Sequence, residues 1–74
     1  MSERLPPVTA RQLVRALEKS GWQVHRRTAG HVLLRKEGYA LVSIPMHSPE
    51  MPRVTLMRII EAAGFTPEEF ARLL

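Results

Sequence analysis

Trp22-Gln23-Val24-His25-Arg26-Arg27, His31-Val32-Leu33-Leu34-Arg35-Lys36 and Tyr39-Ala40-Leu41-Val42-Ser43-Ile44 are three strand-like runs in immediate succession. Thr28-Ala29-Gly30 separates the first two, and Glu37-Gly38 separates the second from the third. Connections this short leave no room for a crossover, so the three runs read as an antiparallel meander. The first run alternates, with Trp22 and Val24 on one face and Gln23, His25 and Arg27 on the other. The second is apolar at its centre, as a middle strand should be. Its Val32-Leu33-Leu34 run leaves open which face carries His31. Pro45 closes the third run.

Helical patterns flank the meander. Upstream, Thr9 and Gln12 have capping-box spacing, and Val8 and Leu13 have the spacing of a hydrophobic staple. Ala10, Leu13, Val14 and Leu17 recur at helical intervals with Arg11, Arg15 and Glu18 opposite, and Gly21 ends the run. Downstream, a proline-rich loop from Pro45 to Pro52 leads to a second helix over about Val54 to Ala63, with Leu56, Ile59, Ile60 and Ala63 as its apolar stripe. Thr66-Pro67-Glu68-Glu69 opens a short third helix, stapled by Phe65 and Phe70. Residues 1–7 read as a flexible tail and 8–74 as a single domain. The expected fold is α+β, ordered α-β-β-β-α, with two helices on one face of the sheet and a short extra helix at the end. A sheet this small needs one face covered, and the other is left for solvent or a partner.

Composition narrows the function. Seventy-four residues without cysteine exclude a disulfide scaffold, a thiolate metal site and a multi-domain enzyme. The first residues show no secretory pattern and no segment is apolar enough to span a bilayer, so a cytoplasmic protein without membrane contact is expected. There is no Asp, and the seven Glu are scattered, which leaves no paired-carboxylate site and no Mg²⁺ or Ca²⁺ cluster. No phosphate-cradling glycine loop occurs. Three histidines without i,i+4 spacing give no zinc signature, so neither metal nor other cofactor is expected. The net charge is +4, and nine of the eleven basic residues are arginine, whose planar fork matches phosphate oxygens in pairs.

Histidine among arginines suits one reaction well. A base takes the proton of a ribose 2′-hydroxyl, that oxygen attacks the adjacent phosphate, and cations stabilise the charge that develops. The substrate carries its own nucleophile. His31, opening a strand after Gly30, is the candidate general acid/base. Arg26, Arg27, Arg35 and Lys36 are candidate phosphate ligands, and Gly30 would allow close backbone approach. His47 and Arg53, in and beside the loop before the second helix, are further candidates for an RNA or partner surface. A non-catalytic RNA-binding module is the alternative, and a pure protein-interaction domain a third reading.

The succession Ser20-Gly21-Trp22, Gly30-His31-Val32-Leu33-Leu34, Val42-Ser43-Ile44-Pro45-Met46-His47 and Thr55-Leu56-Met57-Arg58-Ile59-Ile60-Glu61-Ala62-Ala63-Gly64 resembles the HicA toxins over roughly residues 9 to 65. The resemblance implies a double-stranded-RNA-binding-like fold and the toxin of a type II toxin–antitoxin system. It implies metal-independent endonucleolytic cleavage of single-stranded mRNA by one histidine at the start of the second strand, the position of His31. It also implies neutralisation by a HicB-like antitoxin, through which any DNA binding would occur. Two positions depart from the family pattern. Ala29-Gly30-His31 stands where Gly-Ser-His is common, so a hydroxyl there must come from Thr28. Val54 stands where glycine often precedes the helix-opening threonine.

Overall fold

The computed structural model describes residues 5–47 and 50–74. Its elements are α1 (Ala10–Lys19), β1 (Gln23–Arg27), β2 (His31–Arg35), β3 (Val42–Pro45), α2 (Arg53–Ala62) and α3 (Pro67–Ala71). The sheet is antiparallel in the order β1-β2-β3, so the expected α-β-β-β-α arrangement with a short extra helix is what the chain adopts.

Local chemistry explains where the first and last helices begin. Thr9 Oγ1 accepts from the Gln12 N–H at 3.1 Å, and Gln12 Oε1 accepts from the Thr9 N–H at 2.9 Å. Thr66 and Glu69 repeat the arrangement at 3.1 and 2.9 Å, with Pro67 at the first helical position. Each box satisfies two otherwise orphaned N–H groups, and its cap contributes about 1 kcal/mol. Helix α2 starts one residue earlier than the pattern suggests. Pro52 precedes it, and no side chain caps it.

One apolar cluster holds the layers together. Leu13 and Leu17 from α1, Val32 and Leu34 from β2, Val42 and Ile44 from β3, and Leu56 and Ile60 from α2 are all buried in it, with Trp22 and Phe70. Each of these side chains contributes about 1.5–3 kcal/mol relative to an exposed one. The cluster lies on one side of the sheet and leaves the other side open.

Three features differ from the sequence reading. Strand β3 begins at Val42, not Tyr39. The Tyr39 N–H turns back to the Lys36 carbonyl at 3.0 Å, and the ring lies 5.4 Å from that of Trp22. Tyr39 also covers Gly64, whose missing Cβ would stand 3.1 Å from Tyr39 Cε1. Second, β1 does not alternate to its end: a bulge lies between Val24 and Arg26. Third, ordered packing reaches back to Leu5, inside the segment expected as a tail. Leu5 is buried, the Met51 N–H donates to the Val8 carbonyl at 2.8 Å, and Arg53 Nη1 donates to the Leu5 carbonyl at 3.4 Å. Residues 1–4 of that expected tail, and Ser48 and Pro49 of the proline-rich loop, lie outside the described residues.

Candidate active site

The register assigns the sheet faces. Val32 and Leu34 are buried under the helices, so His31, Leu33 and Arg35 occupy the open face. Paired residues of adjacent strands share a face. Leu33 pairs with Ser43 on one side and with Arg26 on the other, and His31 pairs with Pro45. The open face therefore carries Arg26, His31, Leu33, Arg35, Ser43 and Pro45.

The bulge decides which arginine joins His31. Simple alternation from Trp22 puts Arg27 with Gln23 and His25 on the open face. With His25 as the extra residue, Arg26 pairs with Leu33 and Arg27 with Val32. Arg26 thus takes the open face, and Arg27 stands on the helix side at the sheet edge, exposed. Arg26 lies across from Leu33, two residues from His31. Arg35 lies four residues along β2 from His31, about 13 Å at a strand's rise.

The main chain of His31 is clamped at the turn. Its N–H donates to Thr28 Oγ1 at 3.1 Å, and its carbonyl accepts from the Thr28 N–H at 2.9 Å and hydroxyl at 3.3 Å. The Thr28 hydroxyl thus serves the backbone of His31. The imidazole is exposed, and among the described residues no hydrogen bond engages either ring nitrogen.

His47 completes the site from the loop after β3. Its ring meets that of His31 edge-on, with centroids 5.8 Å apart and planes at 81°. The Met46 N–H donates to the Gly30 carbonyl at 2.8 Å, which brings the loop onto the β1–β2 turn. A Cβ on Gly30 would stand 3.2 Å from His47 Nδ1 and 3.5 Å from its Cε1. The space that glycine leaves at position 30 is therefore taken by the imidazole of His47.

Two of the candidate cations are engaged elsewhere. Lys36 Nζ donates to the Ser20 carbonyl at 3.0 Å, where it meets the negative end of α1, and lies 5.5 Å from the Tyr39 ring centroid. Arg53 holds the Leu5 carbonyl. Val54 is 70% exposed in the first turn of α2. Among the described residues no three His or Glu side chains gather as a metal ion would require. The pairing of His47 with His31 escaped the sequence reading, which placed His47 only on a general RNA or partner surface. The signal lay in the meander: once β3 runs antiparallel to β2, residues just after Pro45 return to the start of β2.

A family model described as the HicA toxin of bacterial toxin–antitoxin systems matches residues 10–65, more than half of the chain. The chain belongs to the HicA toxin family. A comparison with curated proteins finds no match. Membership makes this HicA-family chain the toxin side of a toxin–antitoxin pair. Within the matched span lie the whole sheet, α2, His31 and His47. Among the described residues no helix is long and apolar enough to cross a membrane.

Proposed function

We propose that this HicA-family domain is an endoribonuclease that cleaves single-stranded mRNA in the cytoplasm without a metal ion. His31 is the general acid/base. The observation that carries the reading is the exposed imidazole of His31 on the open sheet face, sharing that face with Arg26 and Arg35. Its backbone is fixed by Thr28, so the ring is presented from a rigid strand end. Arg26, the nearer cation, serves the phosphate under attack, and Arg35 a neighbouring one along the strand. Both interactions are charge-assisted. Arg27, Lys36 and Arg53 contribute to the field of the molecule rather than to this face. Leu33 lies half-buried between His31 and Arg35, where a base can rest. Family membership supports an antitoxin of the HicB type, which silences the toxin by covering this face.

Two proteins, wild type and His31→Ala, incubated with unstructured RNA in EDTA provide the test. Wild type is expected to cut, leaving a 2′,3′-cyclic phosphate and a 5′-hydroxyl, and His31→Ala to lose at least about 10²-fold in rate. Equal cutting by both proteins, or none by wild type, would falsify the assignment.

A further inference from the structure

We infer that His47 is the second half of an acid–base pair: His31 removes the 2′-hydroxyl proton, and His47 protonates the departing 5′-oxygen. The inference rests on the ribonuclease reading above and extends it to a second catalytic residue. Attack of a 2′-oxygen on its own phosphate breaks the bond to the 5′-oxygen, and that oxygen leaves poorly without a proton. In an in-line displacement the attacking and leaving oxygens lie on opposite sides of phosphorus, so a single ring must carry the proton it takes on one side across to the other. Two imidazoles reached by one phosphate remove that requirement.

The geometry meets this need. The two rings lie 5.8 Å apart between centroids with their planes at 81°, a separation that one phosphodiester can bridge. Hydrogen-bond reach of about 2.6–3.2 Å from each ring covers both oxygens of one phosphodiester. Both side chains are exposed, and both backbones are tied to the same turn, His31 through Thr28 and the His47 segment through the Gly30 carbonyl. The seat of His47 against Gly30 has no room for a methyl group without displacement.

The balance closes without a co-reactant. Neutral His31 takes the 2′-hydroxyl proton as the new O–P bond forms. Protonated His47 gives its proton to the 5′-oxygen as the old P–O bond breaks. The products are a 2′,3′-cyclic phosphate and a 5′-hydroxyl, with His31 left protonated and His47 neutral. Proton exchange through water resets the pair. The titratable group packed against His47 is His31. Arg26 and Arg35 stand on the same sheet face, and Glu50 follows in the chain of the same loop.

The test compares wild type, His47→Ala, His47→Gln and His31→Ala. The substrates are an RNA whose cut linkage has been mapped and the same RNA with sulfur in place of the 5′-bridging oxygen at that linkage. A thiolate leaves without protonation. Both His47 variants are expected to cut the oxygen substrate at least about 10²-fold more slowly and the sulfur substrate near the wild-type rate, while His31→Ala stays slow on both. Cutting of the oxygen substrate by His47→Ala at the wild-type rate overturns the pair, as does an equal deficit on both substrates. In either case the ribonuclease reading stands so long as wild type cuts and His31→Ala does not. No cutting by wild type removes both.

Discussion

Replacing Gly30 by alanine should separate activity from stability. The backbone at Gly30 lies outside the left-handed region, so alanine fits its conformation. Loss of freedom in the unfolded chain then favours folding by about 0.4–1 kcal/mol. The new methyl group, however, stands 3.2 Å from His47 Nδ1 and 3.5 Å from Cε1. Comfortable contacts begin at about 3.5–4.0 Å, so the imidazole must move by about 0.5 Å. Turning a side chain off its rotamer costs about 0.5–1.5 kcal/mol, which offsets the gain. The midpoint of urea denaturation should therefore shift by less than about 1 kcal/mol equivalent. A misplacement of 1 Å can cost about 10²-fold in rate, so half of that on a logarithmic scale predicts about a tenfold loss of RNA cleavage. The imidazole signals of His47 in a carbon–proton NMR spectrum should shift with it. A double-mutant cycle supplies the refutation. If Gly30→Ala acts by moving His47, it adds nothing in a His47→Ala background. A tenfold loss that persists in that background means that the methyl group blocks RNA directly, and unchanged cleavage with unmoved His47 signals defeats the reasoning altogether.

Two further outcomes follow from the same geometry. Gly64 sits at φ +89° with its missing Cβ 3.1 Å from Tyr39 Cε1, so Gly64→Ala should destabilise by about 1–2 kcal/mol from backbone strain alone. Combining it with Tyr39→Ala, followed by thermal melting, should recover the contact portion but not the strain. For RNA binding, measured on His31→Ala protein so that the strand survives, Arg26→Gln and Arg35→Gln should each flatten the slope of log affinity against log salt by about 0.7. Arg27→Gln and Lys36→Met should leave that slope unchanged, since Arg27 is on the helix side of the sheet and Lys36 is bound to the end of α1.

The parts legible in the sequence are those fixed by neighbours in the chain. The boxes Thr9–Gln12 and Thr66–Glu69 act over three residues, and both form as read. The meander was legible because two short turns leave no other connection. The face of His31 was not, because Val32, Leu33 and Leu34 satisfy the apolar requirement in either phase; burial of Val32 and Leu34 resolves it. The bulge at His25 depends on how β1 meets β2, and no residue there demands it. Tyr39 has strand propensity, yet Trp22 and Gly64 offer its ring a better partner than the sheet does. Lys36 read as a phosphate ligand because sequence spacing cannot show that a long side chain bends back to a helix end. The approach of His47 to His31 is likewise a matter of register, visible only once the strands are laid side by side.

The irregularity at His25 bears on how relatives of this chain should be aligned. Remove that residue and Val24 would still face the helices, Arg26 the open side and Arg27 the helices, because the ladder on either side of it is already in phase. A homologue one residue shorter in this strand therefore takes its gap at position 25. Slide the gap past Arg26, and the column of the open-face arginine fills with a residue from the helix side, so that a preserved position would be scored as a lost one.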